Sequence, residues 1–277
     1  MKCFPLSEGT YTVDQSKNFI PFNSEIDSVK DRPGSLLVEI CPFLIISDEG
    51  LIIIDPGLGL KNAEGEFQII KNLSRLGYNS TDINFVLLSH LHKDHIGGVA
   101  YEENGEMKPM FPNAEYVYQE EEMNEALSVR EETNRGDHLL SKKISRSFDE
   151  NKLLFLKNRK EKIELKGNTK LLPRFVSSRT EIYCEVSGGH TKNHQVFWID
   201  LGNEKYFYGG DVLPQGSQLI RKFAAKYDYD GKESGALRIQ YGKKCAEENY
   251  ACLFFHSSIN PISKVKYEDG IFELIPY

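Results

Sequence analysis

The chain has 277 residues, 40% of them hydrophobic and 27% charged, a balance that fits a soluble globular protein and excludes disordered and fibrous classes. Its 34 Lys and Arg against 41 Asp and Glu leave a net charge of −7, which argues against a nucleic-acid partner because phosphate contacts need Lys and Arg. The five cysteines (Cys3, Cys41, Cys184, Cys245, Cys252) include no C-x-x-C pair, the opening MKCFPLSEGTYTVDQ has no apolar signal core, and no apolar run nears membrane-spanning length. Reduced thiols, a cytoplasmic location and no membrane partner are therefore expected.

Residues 36–40, 43–47 and 51–55 are short apolar segments divided by Pro42 and by Asp48-Glu49-Gly50, and they read as strands of a hairpin or meander. In 64–76, Phe67, Ile70, Leu73 and Leu76 recur at helical spacing, and Gly77 suits a C-cap. Residues 83–88 form a buried-strand pattern that runs straight into SHLHKDHIGG; 114–118 read as a strand and 120–127 as a short helix. The charged stretch 128–168 has weak periodicity. Strand patterns return at 181–186, 195–201 and 205–208, a helix pattern with Leu237, Tyr241 and Cys245 spans 234–248, and a last buried strand covers 251–255. This order suggests two central sheets with helices outside, built from two similar halves.

The chain has seven histidines, and their placement carries the chemistry. His90, His92 and His95 stand with Asp94 in one H-x-H-x-D-H run; His190 follows in SGGHTKNH, Asp211 in YFYGGD and His256 in LFFHS. Each group comes at or just after a strand-like segment, where rigid strand ends can converge on one point. Imidazole nitrogens and carboxylate oxygens suit zinc, with iron, manganese or cobalt as alternatives. So many ligand-type side chains in one short run favour division between two neighbouring ions, which together would make hydroxide from a shared water. A carboxylate has two oxygens and can bridge such a pair, and Asp211 is the natural bridge. A lone histidine beside an apolar run is more often a hydrogen-bonded structural residue, and His138 and His194 are read that way.

HLHKDH, followed by GGHT, GGD and a late apolar-His segment, resembles the metallo-β-lactamase superfamily, and LIIIDPG is similar to its early Asp motif. The resemblance implies a single domain over 1–277, a four-layer αββα sandwich of two mixed sheets, with a dinuclear site at one edge. It implies His90, His92 and His190 on the first metal, Asp94, His95 and His256 on the second, Asp211 between them, and Asp55 behind the ligands as an orienting residue. Asp211 stands where β-lactamases themselves often carry Cys, which sets antibiotic hydrolysis aside. The 21 residues from His190 to Asp211 and the 45 from Asp211 to His256 are close to the spacing in N-acyl homoserine lactonases. Those lactonases carry a carbonyl-polarising Tyr where this chain has Pro214, and the long span from His95 to His190 implies an inserted active-site cover around 128–168. The expected activity is metal-dependent hydrolysis of a small lactone or other carboxylic ester by a bridging hydroxide, with Asp94 as proton shuttle. Phosphotriester or phosphoester hydrolysis is the alternative, and non-catalytic metal binding a more distant one. Phe19, Ile20 and Phe22, with parts of 128–168, are expected as pocket walls.

Overall fold

The computed structural model describes residues 2–135, 147–171, 179–221 and 227–277. Among these residues, one sheet runs in the order β1 (Cys3–Pro5), β5 (Phe43–Ser47), β6 (Gly50–Ile54), β7 (Ile83–Leu87), β10 (Glu115–Gln119), β11 (Lys162–Leu165). The second runs β12 (Thr169–Lys170), β13 (Glu181–Val186), β14 (Gln195–Asp200), β15 (Lys205–Tyr208), β16 (Ala251–Leu253), β17 (Ile262–Glu268), β18 (Ile271–Pro276). Both are mixed: β6 pairs parallel with β7 and β15 with β16, whereas β5–β6 and β13–β14 are antiparallel.

Side-chain alternation explains why these strands read as continuous apolar runs. On β6, Ile52 and Ile54 face the layer between the two sheets, where they meet Phe197, Ile199, Tyr206 and Leu253 of the second sheet. Leu51 and Ile53 face the other way, onto helices α1 (Gln68–Arg75), α3 (Glu120–Arg135) and α4 (Glu150–Asn158), through Ile69, Leu73, Met123 and Leu156. The far face of the second sheet puts Trp198, Phe207 and Cys252 against Tyr241 and Cys245 of α6 (Gly231–Glu248). Three apolar layers thus lie between helix, sheet, sheet and helix, and the architecture is the αββα sandwich.

Several local expectations shift. Residues 36–40 are a strand, β4 (Leu36–Ile40), but β4 leaves β5 and pairs with β2 (Gly9–Val13), which also pairs with β3 (Phe19–Pro21), in a separate small sheet. At the turn between β4 and β5, the Cys41 amide donates to the carbonyl of Phe255, just past the end of β16. Helix α1 begins at Gln68 and ends at a left-handed Gly77, whose amide bonds Ser74 while that of Tyr78 bonds Leu73. Within 128–168, α4 lays Leu153 and Leu156 into the core and β11 extends the first sheet, so these elements belong to the body of the sandwich. Residues 136–146, the middle of the expected cover, lie outside the described residues, as does His138. No helix among the described residues is long and apolar enough to cross a membrane.

Candidate metal centre

The expected site residues follow strand ends at one edge of the sandwich. Asp55 comes directly after β6, His90 shortly after β7, Asp211 after β15 and His256 after β16. His190 sits in the turn joining β13 to β14. His92 caps the single-turn helix α2 (Lys93–Ile96), which presents Asp94 and His95. That turn packs backbone against backbone on the 55–59 loop: a Cβ on Gly97 would lie 2.2 Å from the Leu58 carbonyl oxygen, so only glycine fits the HIGG step.

All seven expected ligand residues converge, in two groups that share Asp211. His90 Nε2 and His190 Nε2 each lie 3.0 Å from His92 Nδ1, and Asp211 Oδ2 is 3.2 Å from His190 Nε2. On the other side, Asp211 Oδ1 lies 3.2 Å from His95 Nε2 and 3.0 Å from His256 Nε2. Asp94 Oδ2 completes this group at 3.7 Å from His95 Nε2 and 3.6 Å from His256 Nε2. Asp211 therefore offers one oxygen to each group.

Outward hydrogen bonds aim four of the five rings. His95 Nδ1 is 2.8 Å from Asp55 Oδ2, His190 Nδ1 2.8 Å from Asp228 Oδ1, and His256 Nδ1 2.7 Å from the Glu39 carbonyl oxygen. Ser89 donates its hydroxyl hydrogen to Asp55, so it accepts from His90 Nδ1 at 3.0 Å. With Nδ1 as donor, these four rings turn the Nε2 lone pair inward. Asp55, in a left-handed conformation at φ 44°, is saturated: it also accepts from the Ser89 amide at 2.8 Å and the Tyr208 hydroxyl at 2.6 Å. Its place is behind the cluster, as an orienting group.

The donor set fits metal ions. Inward imidazole lone pairs 3.0 Å apart repel unless a cation lies between them, and donors about 2.0–2.1 Å from one tetrahedral ion stand about 3.3 Å from each other. His95 Nε2 and Asp211 Oδ1 are buried with no hydrogen-bond partner, the orphaned atoms that such an ion would satisfy. Burial and the neighbouring rings hold His90 and His92 well below the usual histidine range, in the neutral form that ligation needs. Burial opposes charge on His95 too, but Asp211, Asp94 and Asp55 outweigh it and hold that ring well above the usual range, so its Nε2 would become a donor only as metal binding released a proton from it. Burial would raise Asp211, yet His256, His95 and His190 together keep its carboxyl well below the ordinary carboxylate range.

Sequence reasoning missed the groups that brace this cluster. Arg238 is 1% exposed; its Nη2 lies 3.3 Å from Asp228 Oδ2, behind His190, and its Nε donates to the Val212 carbonyl beside Asp211. The available signal was a charged residue sharing the buried helical stripe of Tyr241 and Cys245. Glu122 of α3 accepts from the Thr191 hydroxyl at 2.9 Å and the Leu91 amide at 3.4 Å, and so ties the His190 turn to the His90–His92 segment. Burial pushes its carboxyl up to about 7 against those bonds. His194 lies behind the cluster, with Nδ1 2.8 Å from the Ser187 hydroxyl and Nε2 accepting from the Asp211 amide at 3.2 Å.

The cavity over the cluster is lined by Phe19 but not by Ile20 or Phe22. Alternation on β3 turns Ile20 away, and Phe22 lies under the Arg32 guanidinium. Ser147 also lines it, and Phe148 packs on His92 with ring centroids 5.4 Å apart. Pro214 borders an adjoining cavity, and its carbonyl accepts from the His256 amide at 2.9 Å. Tyr227 lines both cavities, its ring 5.9 Å from that of His190.

Residues 42–168 match the model of the metallo-beta-lactamase superfamily. A probable metallo-hydrolase of Mycobacterium tuberculosis is 20% identical over 230 residues, covering 76% of this chain and 68% of that protein. An N-acyl homoserine lactonase of Bacillus thuringiensis is 33% identical over 119 residues, 36% of this chain and 44% of that one. Among solved structures, the dizinc quorum-quenching lactonase AidC in complex with its product superposes with a TM-score of 0.72 at 24% identity, over 99% of this chain and 94% of that one. A probable metal-dependent hydrolase from Staphylococcus aureus gives a TM-score of 0.72 at 21% identity, over 99% and 96%. At these identities the structural likeness speaks for the fold alone, and the matched model, which spans just under half of the chain, shows that residues 42–168 are similar to the metallo-β-lactamase superfamily.

Proposed function

We propose that the chain is a metal-dependent hydrolase acting on a lactone or other small carboxylic ester at a dinuclear centre. The observation that carries this reading is Asp211, whose two oxygens face two separate donor groups. His90, His92 and His190 would hold one ion, and Asp94, His95 and His256 the other. Bound divalent ions, zinc in the first instance, would lower the pKa of a water between them and polarise the ester oxygen. The protein's part is positional: Asp55, Asp228, Ser89 and the Glu39 carbonyl hold the rings, and Asp94, on the cavity wall, is placed to carry a proton to the leaving oxygen. The likeness to named lactonases supports a cyclic ester, and the five free, buried thiols support a reducing, cytoplasmic setting.

The test is a turnover screen on lactones, thioesters, aryl esters and phosphotriesters with metal content measured in parallel. We expect two transition-metal ions per chain and turnover of some lactones. Full activity at one ion would overturn the dinuclear reading, and ready phosphotriester hydrolysis with no lactone turnover would replace the ester by a phosphoryl substrate.

Pro214 has no donor to give a developing oxyanion, whereas Tyr227 brings a phenol to the same cavity from a later loop. Its hydroxyl makes no hydrogen bond among the described residues, and burial together with Asp211 and Asp228 raises it far above the ordinary phenol range, so it stays protonated and able to donate. Tyr227→Phe is expected to lower kcat by about 10²-fold, the effect of losing one oxyanion donor, with metal content unchanged. An unchanged kcat would remove Tyr227 from this role.

A further inference from the structure

The cavity over the cluster and the adjoining one are lined by three cationic side chains, Lys17, Lys93 and Arg221. Among the described residues, the carboxylates that line them are Asp94 and Asp211, both committed to the cluster. This concentration of positive charge is unexpected in a chain of net charge −7. None of the three cations makes an ion pair among the described residues; the charges of Asp94 and Asp149 act on Lys93 from beyond that range. Lys17 stands in the β2–β3 turn at φ 60°, where the carboxylate of Asp14 is taken by the amide and hydroxyl of Ser16. Its ammonium rests 5.2 Å from the Tyr227 ring centroid, and that of Lys93 lies 5.8 Å from the Phe19 ring. Aromatic faces orient an ammonium without using up its hydrogen-bond donors, so both lysines keep donors for a ligand.

Two like charges beside a centre that would itself carry cations raise each other's energy, and a bound anion relieves both. Building on the hydrolase reading above, we propose that the substrate carries an anionic group, a carboxylate or phosphate set off from the ester carbonyl, held by Lys17 and Lys93 at the mouth of the cavity. Arg221 extends the same field along the adjoining cavity. Such a substrate differs from a neutral acyl lactone: its charged arm points away from the cluster toward the small sheet, and the apolar Val13, Phe19 and Val38 pack along its stem.

The experiment compares 4-nitrophenyl hydrogen glutarate, which bears a free carboxylate, with neutral 4-nitrophenyl butyrate, using metal-loaded protein at low and high salt. We expect kcat/KM to favour the acidic ester by about tenfold at low salt, mostly through KM, with the preference shrinking as salt rises. In Lys17→Met/Lys93→Met the preference should fall to near one, and Lys17→Arg/Lys93→Arg should restore it. Equal preference in wild type and the Met variant, or a wild-type preference for the neutral ester, would overturn the anion site while leaving the hydrolase standing. If neither ester is turned over, the acyclic-ester form of the hydrolase reading fails while the lactone screen still tests its other form, and titration calorimetry then decides the anion site independently. Tighter binding of glutarate than of its monoamide, lost in the Met variant, supports the site; equal binding of the two refutes it.

Discussion

Asp211→Ala should lower kcat by roughly 10³-fold, and excess metal should not restore it. The expected loss exceeds the about 10–100-fold typical of residues that only orient a ligand, because Asp211 faces both donor groups at once. On the dinuclear reading proposed above, removing it would take a donor from each ion and also the tether between them, so an attacking water would lose its placement even when both ions are supplied. Asp211→Asn separates these contributions, since it keeps the shape and one carbonyl oxygen but loses the charge that His256, His95 and His190 surround. It should bind metal more weakly than wild type and turn over faster than the alanine variant. The measurement is kcat against metal concentration for all three proteins. Full recovery of the alanine variant at saturating metal would make Asp211 an ordinary ligand.

His92→Ala should reduce metal content from two ions toward one, with turnover falling on the order of 10²–10³-fold. His92 Nδ1 is the atom that both His90 and His190 face at 3.0 Å, so its loss opens one group and leaves the other intact. The stability cost should be small, because His92 is only partly buried and its side chain makes no capping hydrogen bond to α2. His138→Ala, at a position outside the described residues, is the comparison and should keep both metal and turnover. Elemental analysis and kinetics on the two variants check this, and equal losses would show that the ligand assignment is wrong.

How much of this was legible in the sequence depends on what each feature rests on. The strands at 43–47, 83–87 and 195–200 and the helix ending at Gly77 follow from local patterns: continuous apolar runs, helical spacing, a left-handed glycine. The H-x-H-x-D-H run was legible for the same reason, since one short segment carries four donor side chains and few other chemistries need them together. The pairing of β4 with β2, instead of with the strand it adjoins, was not legible. Pro42 marks a break but says nothing of where the chain goes next, and pairing partners are set by contacts between segments. The stretch 128–168 was hard to read because α4 and β11 are short and flanked by charge; Leu153 and Leu156 of α4 and Leu165 of β11 face the core and tie those elements to the sandwich.

The order of the predicted elements therefore suggested central sheets with helices outside, and the histidine and aspartate motifs carried the family resemblance, which in turn implied the sandwich and the expected donor residues; all of these depend on residue type and on order along the chain. Only the tertiary structure decided which nitrogen of each ring points inward, that Asp211 divides its oxygens between two groups, and that Asp228, Arg238 and Glu122 brace the site from 38, 48 and 68 positions away from His190 in the chain. It also decided that Lys17, Lys93 and Tyr227 meet over one cavity. Ligand orientation and cavity charge are properties of convergence. They arise where strand ends from both sheets are brought together by burial of the apolar layers between them, and burial selects residues by hydrophobicity without recording in the local sequence which polar groups will become neighbours.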